Sequence, residues 1–295
     1  MQNTRVLAII LNWRQAQTTI ACVRALQEMS CSFLDTLIID NGSGDDSVSQ
    51  MKEHFQEDVK ILALSENLGF AGGCNIGLQT AVENKYHYAL LINNDAFATP
   101  GMLEELLAKA TPDIALLSPK IFYASDPTRI WFANGRMNPY TLDLYDTGRN
   151  EQDSQKWCKT QDTEYLLGTC LLVHLNAMQN VGLLDERFFM YFEDLDWSMR
   201  FRQKGYRLQI VTSAHLYHKV AISSGGLDSP IRRYHLAKSG MIFWRRYAHK
   251  GNLPVIILFR LGSILKTMTR LLFTGKFSAA HSYLKGLQDG WQVSL

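Results

Sequence analysis

No disulfide framework, targeting signal or membrane span is legible in this chain. The five cysteines (Cys22, Cys31, Cys74, Cys158 and Cys170) are odd in number and include no C-x-x-C pair. With no signal-peptide pattern at the N-terminus, they are expected as reduced thiols in a cytoplasmic protein. Neither G-x-G-x-x-G nor G-x-x-x-x-G-K-S/T occurs, so dinucleotide and P-loop readings lose their main support. Uncharged runs in the basic C-terminal part are short. The longest in the C-terminal part, around residues 253–259, falls well below the ~20 residues a bilayer requires. No recognised nucleic-acid motif accompanies the basic residues, so nucleic acid is not an expected partner.

What is present is an ordinary globular composition, 46% apolar and 20% charged, over 295 residues. That length allows one large α/β domain, or one domain plus an appendage. The net charge of +2 hides an asymmetry. Residues 231–295 hold eleven Lys or Arg and one acid, Asp289, while the remainder carries nineteen bases and twenty-seven acids. A basic C-terminal part suggests an anionic partner.

The first 120 residues alternate apolar runs with amphipathic segments. Strands are expected at 6–11, 36–40, 60–64 and 89–93, and helices near 15–29, 45–55 and 71–83. Repeated βαβ units imply a mostly parallel central sheet flanked by helices, with the ligand site at the carboxyl ends of the strands. Three of those ends are polar: Asn12-Trp13, Asp40-Asn41-Gly42-Ser43 and Asn93-Asn94-Asp95. One such end alone reads as a turn or helix cap. Three together point to one crevice. Between the third and fourth strands, Asn67-Leu68-Gly69-Phe70-Ala71-Gly72-Gly73-Cys74-Asn75 places glycines at a helix start, where free N–H groups favour anions.

Residues 121–164 loosen into turn signals (Asn134-Gly135, Asn138-Pro139, Thr147-Gly148), read as a hairpin or excursion that could cover the site. A strand is expected at 163–174, then a helix at 194–203 stopped by Gly205, then a strand at 207–211 leading to His215 and His218. Ahead of that helix, Phe188-Phe189-Met190-Tyr191-Phe192-Glu193-Asp194-Leu195-Asp196-Trp197 sets three carboxylates among residues built for burial. Burial raises a carboxylate pKa and makes a better base. Read by itself, the cluster could equally be the charged first turn of a helix, favoured by its dipole.

Taken in order, five blocks resemble the inverting family 2 glycosyltransferases of GT-A fold, and the rhamnosyltransferase-like members in particular. They are Ile10-Leu11-Asn12-Trp13, Ile39-Asp40-Asn41-Gly42-Ser43, Glu66-Asn67-Leu68-Gly69-Phe70-Ala71-Gly72-Gly73, Leu91-Ile92-Asn93-Asn94-Asp95, and the run from Asp185 to Asp194. The resemblance implies a nucleoside-diphosphate sugar donor, dTDP- or UDP-linked, and a lipid-linked or oligosaccharide acceptor in bacterial surface polysaccharide synthesis. It implies that Asp40 binds the donor base, with Asn12, Asn41, Gly69, Phe70, Gly72 and Asn75 lining the pocket. Asn93-Asn94-Asp95 would then stand at the family's D-x-D position, where Mg2+ or Mn2+ is held against the diphosphate. Asn93 replaces the first Asp, and Asp95 is kept. His218 would complete the metal site, with His215 as the alternative. Asp194 becomes the general base and Glu193 orients the acceptor or a partner side chain. Lys238, in place of an arginine, could contact the diphosphate. Ser223-Ser224-Gly225-Gly226 matches a loop of the family.

Residues 1–250 are thus expected to form the catalytic unit, and residues 251–295 a basic helical tail. At about 100° per residue, Arg260, Lys266 and Arg270 fall in one stripe, with Leu261, Ile264, Leu265, Met268, Leu271 and Leu272 opposite. That pattern suits a helix lying on the cytoplasmic face of a membrane, although packing on its own domain or on a second subunit would serve as well. A non-catalytic sugar-nucleotide or glycan-binding subunit is the alternative from another class. A nucleotidyltransferase would want glycine after the first strand, where residues 12–19 have none.

Overall fold

The computed structural model describes residues 4–220 and 228–295. Chain order gives β1 (Val6–Asn12), α1 (Ala16–Glu28), β2 (Leu34–Asp40), α2 (Ser47–Phe55), β3 (Lys60–Ala63), α3 (Gly69–Glu83) and β4 (Tyr88–Asn93). Then come β5 (Ala96–Ala98), α4 (Met102–Leu107), β6 (Ile114–Tyr123), β7 (Asp126–Phe132), β8 (Asn134–Met137) and β9 (Leu144–Thr147). Next are β10 (Gln161–Asp162), β11 (Cys170–His174), α5 (Leu175–Val181), α6 (Glu193–Gln203) and β12 (Arg207–His218). Three helices close the chain: α7 (Pro230–Tyr247), α8 (Leu253–Phe273) and α9 (Phe277–Gln292).

The central sheet runs β10-β12-β6-β11-β4-β1-β2-β3, with β5 on β12 and β7 on β6. Pairings β1/β2, β1/β4, β2/β3 and β6/β12 are parallel, and β11 runs antiparallel between β4 and β6. β1 is apolar nearly end to end and buried over almost its whole length, as expected of a strand covered on both faces. Its register sets Asn12 beside Asp40 and Leu11 beside Asn93. The three polar strand ends therefore lie side by side, and the crevice expected from the sequence follows from alignment of parallel strands.

Two expected strands differ from those observed. The segment 163–174 is a strand only over β11, because donors upstream bond to helix α6 instead of a neighbouring strand. The amide of Leu166 donates to Ser198 Oγ at 3.2 Å and that of Gly168 to Asp194 Oδ2 at 2.7 Å. β12 runs on through His218, past the expected end at residue 211, with an irregularity in its pairing between Val211 and His215. The loosened region contains β7 on the sheet edge and a β8–β9 hairpin packed on the buried Tyr165. Residues 223–226 fall outside the described residues.

α9 lies close along α7. A Cβ at Gly286 or Gly290 would overlap the backbone oxygen of Tyr234 or Lys238, so only glycine permits this approach. Ala237, Leu271, Ala279, Ala280 and Tyr283 form a second small core between α7, α8 and α9. Among the described residues, no helix is long and apolar enough to cross a membrane. Two of the three basic residues of α8 are bound to the protein itself. Arg260 donates to the Thr141 carbonyl at 3.0 Å and Asp143 at 3.3 Å and lies over the Trp244 ring, while Arg270 pairs with Asp228 at 2.7 Å.

Candidate active site

A continuous hydrogen-bond chain joins the ends of β4, β1 and β2. Asn94 Nδ2 donates to Thr19 Oγ1 at 3.1 Å, and Thr19 Oγ1 donates to Asn12 Oδ1 at 2.8 Å. Asn12 Nδ2 then donates to Asp40 Oδ1 at 2.7 Å, and the Ser43 hydroxyl reaches the same oxygen at 2.6 Å. The Ser43 amide donates to Asp40 Oδ2 at 3.1 Å. Asp40 is thus a buried acceptor that fixes the turn following β2. Thr19 was missed in the sequence, because it sits inside α1 and its role depends on where that helix lies.

Asn41 ties this turn to the glycine-rich segment. Its Nδ2 donates to the Gly69 carbonyl at 2.9 Å and its Oδ1 accepts from the Leu68 amide at 3.0 Å. Residues 69–75, expected partly as loop, form the first turns of α3. Gly69 has φ of +74°, and a Cβ there would overlap the Phe189 backbone oxygen and ring. The close approach brings the glycine-rich segment onto the acid-bearing loop, with the Phe70 amide donating to the Phe189 carbonyl at 2.7 Å. The Phe70 ring packs beside Gly168, next to Asp194. Gly72 packs on Leu68. Asn75 is buried, donating to the Leu184 carbonyl and Glu186 at 2.9 Å each and accepting from the Leu184 amide at 3.0 Å. It braces α3 against the segment ahead of the acids.

Entry to α6 is through Tyr191 and Phe192, both at φ of +69°. Two aromatic residues in the left-handed region store backbone strain of about 1–3 kcal/mol each. The three acids that follow separate completely. Asp194 Oδ2 accepts from Gly168 and Oδ1 from the Leu195 amide at 2.8 Å, and its carboxyl is pushed up to about 6 by burial, opposed by these hydrogen bonds. Glu193 is buried with Oε2 unpartnered among the described residues. Burial, then the Asp194 charge, raises its pKa well above the usual range. Asp196 is fully buried in an ion cluster, accepting from Arg200 at 2.7 Å, Arg246 at 2.5 Å and Tyr247 at 2.8 Å. It clamps α6 to α7 and takes no place at the crevice.

Asp95 and His218 are both buried, with Nε2 of His218 3.1 Å from Asp95 Oδ1. The pairing of β5 with β12 brings them together. His215 is turned elsewhere, its Nε2 3.1 Å from the Thr212 carbonyl and its ring edge-on to Phe122. Asn93, half-buried, has its amide donating to the Thr169 carbonyl at 2.9 Å. No group of three or more His, Cys, Asp or Glu able to hold an ion occurs among the described residues. The donor set nevertheless suits Mg2+ or Mn2+, which take one or two protein ligands and complete their shell with phosphate and water. It is Nε2 of His218 that stands beside Asp95, so this nitrogen and the carboxylate face one position.

A cation not anticipated from the sequence stands nearby. Arg149 pairs with Asp146 and lies 5.1 Å from the Trp131 ring, which in turn meets the His218 ring at 4.6 Å. Asp146 also accepts from the Tyr165 hydroxyl at 2.6 Å. The hairpin that carries Arg149 folds back over the sheet, and nothing local in the sequence signals it. Lys238 lies on the α7 side that carries α9, with Nζ 6.0 Å from the Tyr234 ring.

A model of glycosyl transferase family 2 matches residues 8–188, more than half of the chain. The N-acetylglucosaminyl-diphospho-decaprenol L-rhamnosyltransferase of Mycobacterium tuberculosis is 27% identical over 217 residues, covering 65% of this chain and 68% of that protein. The dTDP-rhamnosyl transferase RfbF of Shigella flexneri is 20% identical over 267 residues, covering 88% and 84%. In fold, the mannosyltransferase of Pyrobaculum calidifontis, solved with GDP-Man and Mn2+, superposes with a TM-score of 0.56 at 12% identity, covering 98% of this chain and 88% of that one.

Proposed function

Because the chain belongs to glycosyl transferase family 2 and is rhamnosyltransferase-like, we propose that it moves a rhamnosyl or hexosyl unit from a dTDP- or UDP-linked donor to a hydroxyl of a lipid-linked glycan, with inversion. The observation that carries this reading is the contact between the two loops. Phe70 and Gly69 of the donor side touch Phe189, five residues before Asp194, so nucleotide pocket and acid share one wall. Bound there, the donor base would meet the Asn12–Asp40–Ser43 turn and the start of α3. Asp95 and His218 would hold Mg2+ or Mn2+, which supplies Lewis-acid stabilisation of the charge on the departing diphosphate. Arg149, held by Asp146, is better placed than Lys238 to add a fixed positive charge there.

Asp194 takes the proton from the acceptor hydroxyl. Its raised pKa makes it a stronger base than an ordinary carboxylate, and its partial exposure leaves it open to substrate. The base must be ionised. With the free-enzyme pKa at about 6, kcat/KM is expected to fall about tenfold per pH unit on the acid side of that value and to level off above it. A flat profile from pH 5 to 8 would remove Asp194 from the role.

The exposed apolar residues of α8 support attachment to a membrane surface. Leu258 is 71% exposed, Leu261 58%, Leu265 68% and Phe273 88%. With Arg260 and Arg270 bound to the protein, apolar contact more than charge would supply the attraction.

Calorimetric titration with UDP, dTDP, GDP and NAD, each with and without Mn2+, tests the donor site. One pyrimidine diphosphate should bind in a manganese-dependent manner, and Asp95→Ala should weaken binding by about tenfold or more in manganese while leaving the metal-free affinity unchanged. Absence of binding to any nucleotide would favour a glycan-binding protein without transfer activity.

A further inference from the structure

Away from the crevice, a cavity of about 480 Å3 opens between α7 and α8. Its polar lining is Arg232, Arg233, Ser263, Lys266, Thr267 and Arg270, with a single acid, Asp228. Asp228 organises the cations around it. It accepts from Arg233 at 2.9 Å, from Arg270 at 2.8 and 2.7 Å, and from Lys276 at 2.5 Å, the last reaching in from beyond the lining. Four cations against one carboxylate leave the cavity strongly positive. Lys266 is exposed and makes no salt bridge among the described residues.

Two further observations give the cavity a direction. Arg232 lines it, and the same guanidinium carbon lies 5.8 Å from the ring of Tyr191, three residues before Asp194. His235, one turn along α7, stacks on Phe189 at 4.9 Å. The cavity therefore backs onto the loop that carries the base. Apolar side chains flank the cavity along α8. Phe259 and Phe273 stand seven residues before and after Lys266, hence on the same helical face, and are 39% and 88% exposed.

We propose that this cavity binds the diphosphate head of the lipid-linked acceptor, with the lipid chain leaving across Phe273. The inference rests on the transferase reading above and assigns the acceptor a place within it. A diphosphate carries several charges in a small volume and matches fixed guanidinium forks, which present paired N–H donors to phosphate oxygens. Inorganic phosphate would gain nothing from the adjoining exposed aromatics, whereas an amphiphile gains from both. Binding the head there would hold the sugar that follows it toward Asp194.

The test uses the full chain and two kinds of phosphatidylcholine vesicle of equal surface charge, one containing a long-chain polyprenyl diphosphate and the other phosphatidylglycerol. Lys266→Gln should weaken binding to the diphosphate vesicles by roughly tenfold, removing one charge contact to a concentrated anion. On phosphatidylglycerol vesicles the loss should be several times smaller. Equal losses on both would make Lys266 part of a general attraction to anionic lipid, and no loss on either would empty the cavity of this role. Lys266 is exposed, so the variant should keep its fold, which an unchanged melting curve would confirm. Nucleoside-diphosphate titration of the same samples separates the two ideas: a parent protein that binds no nucleotide counts against the transferase reading, while normal nucleotide binding with unaltered lipid binding counts against this site alone.

Discussion

Asp194→Asn should lower kcat by about 10^2–10^4-fold, the range that a positioned general base contributes, while nucleotide affinity changes little. The amide keeps the shape of the carboxylate and one oxygen to accept from Gly168 or Leu195, but it cannot take a proton. Because Asp194 touches no residue of the Asn12–Asp40–Ser43 turn, the donor pocket should survive the change. Glu193→Gln is the informative companion. Glu193 is already held toward its neutral form by burial, so an isosteric neutral side chain should cost much less activity. Equal losses in the two variants would show the acids acting as a unit, and normal turnover of Asp194→Asn would require another base.

Asp196→Ala should destabilise the protein by about 3–5 kcal/mol, the usual cost of removing one partner from a buried ion cluster. The side chain is fully buried and accepts from two guanidiniums and a phenol. Arg246 would keep Asp185 at 2.6 Å, and Arg200 would keep the carbonyl of Leu183 at 2.7 Å, so both stay trapped with half their partners. Urea unfolding of parent and variant measures the difference directly. A loss under about 1 kcal/mol would mean that water enters and solvates the arginines. The two variants form a pair: two neighbouring acids, one expected to stop chemistry in a stable protein and the other to loosen the protein.

Much of this was legible in the sequence because the signals were local. Apolar runs of four to seven residues alternating with amphipathic helices specified a parallel sheet, and parallel strands in register bring Asn12, Asp40 and Asn93 to one edge. Five ordered blocks pointed to the family, and the matched family model agrees. Aromatic neighbours announced that the acid run would be buried. Helix geometry sets position 194 about 100° from 193 but leaves 193 and 196 on neighbouring faces, so spacing alone does not separate the three acids.

Which acid meets which environment was decided by the tertiary structure. Glu193 is buried, Asp194 meets Gly168 from the segment before β11, and Asp196 meets Arg246 and Tyr247 fifty residues further on. Likewise, the basic stripe of α8 was readable as a stripe, but its direction depended on Asp143 and Asp228, which lie far from it along the chain. The sequence by itself determined the elements of the first ninety or so residues, their order and the polar strand ends, because hydrophobic period and turn chemistry act over a few residues. The tertiary structure alone determined the placement of Arg149 on the Trp131 ring that meets His218, the different surroundings of the three acids and the cavity between α7 and α8. Each of these arises from residues distant in sequence that become neighbours only when the sheet and the final helices pack.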